Sequence, residues 1–359
     1  MFVEINKEKY KKLKACFFGL TEDPASSNYQ RLDCLRQLGI NVQGHNTGIY
    51  SASLSLYNRL RKKLTHTWFS ADEIRSYNEG ILNACVGAAP DFVWFEWPLQ
   101  MERQTLMHIR ERWPHTLLVC YQDDNPFGDR KGEAPKWRKF IENIPLYDVH
   151  FVKRPSDLVD FTNRGARRVL LTQPGVYEPL FHLDVRPPNE RGPKIPVSFV
   201  GTALDHRVGY IAALISRHQV PLQVYGARWE RTWVGWRYRN RFSGGLNSVD
   251  YTRVIWDSKI SLAFVSSGNR DEYNGRTFEI PGAGGFFLAE RTPKHQALYE
   301  EGKEAEFFSS ADECADKIKF YLTHEEARRR IAAAGYERCI RSDYRFVSRM
   351  REVLDQLFP

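Results

Sequence analysis

Short apolar runs alternate with amphipathic stretches along the chain, and the runs predict its strands. Residues 14–18 (KACFF), 40–43, 91–95 (DFVWF), 116–121 (TLLVCY), 149–152 and 168–171 form a first series. A helix near 29–38 falls between the first two, with Ser26, Ser27 or Asn28 able to cap it. Proline and glycine then interrupt the pattern at 174–175, at Pro179 and in RPPNERGPKIP, 186–196, the expected linker. The pattern restarts with runs at 197–200, 222–225, 260–265, 286–288 and 306–308, then helices at 311–322, 325–334 and 346–357. Strands separated by helical stretches predict parallel α/β architecture in two doubly wound units. Such sheets take ligands at the carboxyl ends of their strands, at the point where strand order reverses. The cleft between the units is therefore the expected site.

Composition narrows the partners. The chain has 359 residues, enough for two domains with their own cores, and its 42% hydrophobic content argues against disorder. No apolar run approaches the roughly 20 residues of a membrane helix. The Lys- and Glu-bearing start reads as a solvated lead-in to the first strand rather than a signal peptide. The six cysteines lack CxxC spacing, so zinc and redox-motif readings are poor and the cytoplasm is the natural compartment. The net charge of +8 and pI of about 9.1 suit an anionic partner: a nucleotide diphosphate, an acidic glycan, an anionic lipid surface or nucleic acid. The 13% aromatic content fits sugar stacking and equally an aromatic core.

The segment DEYNGRTFEIPGAGGFFLAERTP, 271–293, carries the most chemistry. Asp271 stands eight positions before Glu279, and a Gly-Arg-Thr turn lies between them. Free backbone amides at a helix N-terminus attract phosphate. Arg276 and Thr277 are candidate donors to a diphosphate, and Glu279, one turn on, is a candidate acceptor for ribose hydroxyls.

Five blocks of sequence resemble the CgeB-like (spore-maturation-type, "glycosyl transferases group 1") branch of the GT-B glycosyltransferases. They are YDVHFVKRPSDLVDFTNRGARRVLLTQPGVYEPLFH, VSFVGTALDHR, VYGARW, SKISLAFVSSGNRDEYNGRTFEIPGAGGFFLAERT and FFSSADECADKIKFYLTHEEARRRIAAAGYERC, in the family's order from Tyr147 to Cys339. The resemblance implies two Rossmann-like, doubly wound domains facing a central cleft, a sugar nucleotide held by the second, and no obligatory metal or other cofactor. It implies an N-terminal acceptor-side domain at 1–185, a nucleotide-sugar-binding domain at 186–340, and a helix at 341–359 that crosses back to the first. By the same resemblance Glu279 contacts the ribose. Asp271 replaces the first glutamate of an E-x7-E pattern with a shorter side chain. Gly275, Arg276 and Thr277 form the phosphate-facing turn, Gly201 and Arg207 belong to the first donor loop, and Tyr225, Gly226 and Trp229 line the base pocket.

The leaving diphosphate needs cations, for which Arg276 and Arg207 are the candidates. The acceptor hydroxyl needs a base, expected on an N-terminal loop at a strand's end. Asp123, Asp124 and Glu96 all qualify by position. Asp124 reads equally as a turn former before Asn125-Pro126, and Glu96 equally as a group that orients the acceptor. Asp23 and His45 are weaker candidates. Lys153 and Arg154 end a strand, either facing the cleft or as plain strand-end charges. Asp123 and Asp124 are adjacent and do not form a DxD metal site. The Arg- and Trp-dense run ARWERTWVGWRYRNRFSGG, 227–245, reads as a solvated insertion, a grip for an anionic acceptor or a contact with an anionic membrane. The expectation is a metal-independent cytoplasmic glycosyltransferase, peripheral at most to the inner face of the membrane. It would move sugar from a nucleotide diphosphate donor to a glycan, glycolipid or protein hydroxyl, in surface glycan or glycoconjugate assembly. An inactive sugar- or nucleotide-binding protein of the same fold and a basic nucleic-acid-associated α/β protein remain as alternatives.

Overall fold

The computed structural model describes residues 8–47, 68–128, 130, 132–186 and 193–359. The start of the expected lead-in and residues 187–192 of the expected linker lie outside them. The chain divides into two compact units. One is Pro174–Arg349; the other is Ile5–Gln173 together with Met350–Pro359. Arg186 and Pro193, on either side of 187–192, both belong to the C-terminal unit. The division therefore lies ahead of the Pro-rich run and not at residue 186.

The N-terminal unit is a parallel six-stranded sheet. Its strands are β1 (Lys14–Gly19), β2 (Asn41–Asn46), β3 (Phe92–Glu96), β4 (Leu117–Gln122), β5 (Val149–Val152) and β6 (Val169–Leu171), in the order β2-β1-β3-β4-β5-β6. Helices cover both faces, so inner strands such as β3 (FVWFE) are buried throughout and read as continuous apolar runs. Trp94 anchors one face, its ring stacked near those of Phe17, Tyr121 and Phe151. Residues 350–359 close this unit. Asp355 accepts hydrogen bonds from Lys9 Nζ and Tyr10 Oη, both at 2.6 Å, and Phe358 packs on Phe92.

The C-terminal unit repeats the plan with a different order. Its strands are β7 (Ile195–Val200), β8 (Leu222–Tyr225), β9 (Phe242–Ser243), β10 (Ser258–Ala263), β11 (Phe287–Glu290) and β12 (Glu306–Phe308), arranged β12-β11-β10-β7-β8-β9. Here the order reverses between β7 and β10; in the first unit it reverses between β1 and β3. The pair β7–β10 forms the middle of a core that includes Phe199, Phe264, Leu288 and Phe308. Helix Glu325–Arg341 runs well past the expected stop at 334. Gly335 permits this, because a Cβ there would stand 2.5 Å from the Glu304 carbonyl oxygen. A glycine that reads as a helix end is instead where the helix passes close over a loop.

Candidate active site

In the C-terminal unit, two loops meet where β7 and β10 end. Arg276 Nε donates to the Val200 carbonyl at 2.7 Å, and an Arg207 terminal nitrogen donates to the Val265 carbonyl at 3.1 Å. Asn274 ties the turn down: its amide donates to the Phe264 carbonyl, and its side-chain oxygen accepts the Arg276 amide at 3.0 Å. Two guanidiniums, one half-buried and one buried, are thereby fixed at the switch point. The Asn274 side chain thus takes up the Arg276 amide, one of the helix N-terminal amides expected to meet phosphate.

Glu279 lies in the first turn of helix Arg276–Gly282 and folds back toward Gly275, where an added Cβ would stand 2.8 Å from Oε1. Among the described residues only Tyr251 hydrogen-bonds the carboxylate, its hydroxyl donating to Oε2 at 2.8 Å. Burial pushes the Glu279 carboxyl above the usual range, while Arg276 and the Tyr251 hydrogen bond pull it down. The result is a carboxylate with an adjacent cation, one protein donor and a half-open position.

Other expected donor residues take different work. Thr277 is fully buried and does not face outward. Its hydroxyl pairs with His295 Nε2 at 2.9 Å and accepts the Asn274 amide at 3.1 Å. His295 Nδ1 lies 2.7 Å from the Glu290 carbonyl, and burial lowers the imidazole to about 4. The ring is thus neutral, with Nδ1 donating and Nε2 accepting from Thr277. Gly226 has φ +149°, and a Cβ there would stand 2.2 Å from Gly201 O. Trp229 Nε1 donates to that same oxygen at 2.8 Å. Gly226 and Trp229 therefore hold the loop after β7 against the end of β8. Tyr225 is half-buried at that end, and the Asp271 amide donates to Ser266 O in the loop after β10.

In the N-terminal unit a cavity of about 380 Å³ opens at the β1–β3 switch point, lined in part by Gly19, Asp23, Asn28, Glu96 and Asp123. Glu96 does not fit a base. Its side chain has no exposure, and four donors enclose it. Arg31 reaches Oε1 and Oε2 at 2.6 and 2.7 Å, Trp94 Nε1 reaches Oε1 at 2.7 Å, and Asn28 reaches Oε2 at 3.2 Å. Burial opposes the charge on Arg31, and Glu96 and Asp123 more than restore it. Asp123 accepts from Arg31 at 3.1 Å and keeps a quarter of its side chain exposed at the cavity. Asp124 turns away to Lys136 at 3.9 Å. Asp23 accepts the Ala25 amide in a turn, and Arg154 pairs with Asp157 at 2.8 Å. Lys153 is buried. His45 stacks on Phe18 beside a second cavity of about 780 Å³. Its Nε2 has no partner among the described residues, and burial lowers its basicity.

Residues 207–355 match a family described as glycosyl transferase-like. The fold is similar to that of sucrose-phosphate synthase from Thermosynechococcus elongatus, with a TM-score of 0.67 at 12% identity over 97% of this chain and 99% of that one. Anabaena HepE, solved with UDP and glucose, gives 0.58 at 13% identity over 96% and 99%. A glycosyltransferase from Rickettsia africae gives 0.58 at 11% over 96% and 98%. The chain carries a glycosyl transferase domain on a GT-B fold. No curated protein matches it by sequence.

Several groups in this transferase escaped the sequence reading although they lie in motifs it used. Asp205, with φ +53°, accepts from Ser266 Oγ at 2.7 Å and so links the loops after β7 and β10. His206 lies between Ser267 and Glu290, at 3.2 and 2.9 Å, and its bond to Glu290 raises the imidazole's basicity. Asn274 had a readable signal: an Asn side chain readily accepts the backbone amide two residues on, an Asx turn. Among the described residues no three His, Cys, Asp or Glu side chains converge as metal ligands, and no helix is long and apolar enough to cross a membrane.

Proposed function

We propose that this transferase moves a sugar from a nucleoside diphosphate donor to an acceptor hydroxyl, as a member of the CgeB-like branch. The observation that carries the reading is Glu279 beside Arg276 at the β7–β10 switch point. There Glu279 would accept the ribose hydroxyls through a carboxylate that spends one bond on Tyr251. Arg276 and Arg207 would stabilise the departing diphosphate, electrostatic work that asks for no protein-held metal or other cofactor. Asp123 is our choice for the base, because it alone of the three N-terminal candidates combines exposure with a place on the cavity wall. HepE, a fold relative, was solved with UDP, which supports a nucleotide donor.

The acceptor would be a glycan or glycoconjugate at the cytoplasmic face of an anionic membrane. Trp233 and Trp236 are 58% and 77% exposed, with Arg228, Arg231, Arg237 and Arg239 exposed around them. Exposed tryptophans among arginines match the chemistry of a headgroup layer.

A thermal-shift screen across UDP, GDP, TDP and CDP tests the donor reading. One nucleotide should raise the melting temperature, and Arg276→Ala should remove the rise. A flat response to all four would sink it. Stabilisation without turnover in any sugar form would identify a binding protein instead. Sedimentation with anionic vesicles, with and without Trp233→Ala/Trp236→Ala, tests the membrane contact separately.

A further inference from the structure

A second charged site lies at the opposite end of the strands of the C-terminal sheet. Where β10 begins and the chain approaches β11, a cavity of about 460 Å³ is lined by Arg186, Trp256, Lys259, Phe286, Arg328 and Arg329, among others. Four cations face it, and no Asp or Glu among the described residues lines it. Arg328 is 3% exposed. Its nearest carboxylate, Glu325, is 4.0 Å away and is held at 2.5 Å by Arg329. Its other partner among the described residues is a backbone carbonyl, Tyr321 O, at 3.4 Å. Among the described residues the Arg186 guanidinium donates only to the Trp256 carbonyl, and neither Arg186 nor Lys259 has an ion-pair partner there.

A buried cation with distant, shared countercharge is costly, because desolvation is not offset by a close partner. Arg186 and Lys259 around the same space compound the cost through mutual repulsion, whereas Arg329 is countered by Glu325. An anion in the cavity reverses both terms. Arginine favours planar oxyanions, and several converging cations favour a multiply charged one. Trp256 and Phe286 give the same cavity an aromatic wall. We propose that this cavity binds a phosphate-bearing anion, at a site distinct from the switch-point arginines Arg276 and Arg207. The two sites lie at opposite ends of the same strands, so one molecule of the chain can fill both.

Calorimetric titration of the full chain with inorganic pyrophosphate tests this, in an Arg276→Ala background that weakens the switch-point site. Pyrophosphate should still bind. Adding Arg328→Gln should weaken it roughly thirtyfold or more, the loss expected for a buried charge pair. Lys259→Gln and Arg186→Gln, at less buried positions, should each weaken it severalfold and leave the unfolding temperature in place. They keep the test valid if Arg328→Gln fails to fold. Absence of binding in Arg276→Ala protein, or an affinity unmoved by Lys259→Gln and Arg186→Gln together, would overturn the proposal.

Discussion

Glu96 and Glu279 stand beside the switch points of the two units, and their surroundings give them different work. Glu96 meets four donors, and its side chain has no exposure. Glu279 meets one hydroxyl and is half-buried. Both units also set a non-glycine residue in the left-handed region just past a switch-point strand: Trp97 at φ +48° after β3 and Asp205 at φ +53° after β7. A carboxylate near the switch point thus serves as an anchor in one unit and an open acceptor in the other. What separates them is how many donors the protein itself supplies. A carboxylate saturated by Arg31, Trp94 and Asn28 has no lone pair left for a ligand.

That contrast can be broken from either side. The largest effect should come from Glu96→Ala, which strands the buried Arg31 guanidinium. A loss of about 3–5 kcal/mol in urea unfolding is expected; a loss below about 1 kcal/mol would mean that the anchor is misread. Arg276→Ala should do the reverse. Nucleoside diphosphate affinity should fall by roughly tenfold or more while unfolding stability moves by about 1 kcal/mol or less.

The third test uses pH. Burial raises the Glu279 carboxyl, so its protonated form favours the folded state. That contribution is fully present below the ordinary glutamate range and is lost as pH rises through the raised value. Ribose binding needs the ionised form, so donor affinity should climb over the same interval as stability declines. In Glu279→Gln both trends should flatten, and an unchanged pH profile would remove Glu279 from the donor site. The smallest effect concerns His206, whose pairing with Glu290 raises its basicity. Its contribution is present below the ordinary histidine value and fades as pH rises through the raised one. Stability of His206→Gln should therefore depend less on pH above neutrality, as read from melting temperatures.

Most strands were legible because buried parallel strands are unbroken apolar runs, and every expected strand has a counterpart. The exception, β9, is two residues inside an Arg- and Trp-rich run and has no pattern of its own. Glu279 and Arg276 were legible because their spacing sets them together on one short turn and helix. Glu96 was not, because Arg31 lies 65 positions earlier and only the β1–β3 pairing brings them together. Thr277 was misread for a similar reason: a Thr after Gly-Arg suits a phosphate turn, yet His295, 18 positions on, claims its hydroxyl. A local motif reports what a side chain offers. Whether a distant residue has already taken the offer depends on topology.

Asp355, Gln356 and Phe358 complete the N-terminal unit through Lys9, Tyr10, Arg168 and Phe92. On a ribosome these residues emerge only after all of Pro174–Arg349 has been made. The first unit to be synthesised must therefore wait for the second before it can close its own surface, which departs from the usual N-terminal-first order of domain folding. In the interval Phe92 lacks its Phe358 contact and Tyr10 its Asp355 acceptor, and a ribosome stalled at any codon up to 349 would hold the unit in that unfinished state.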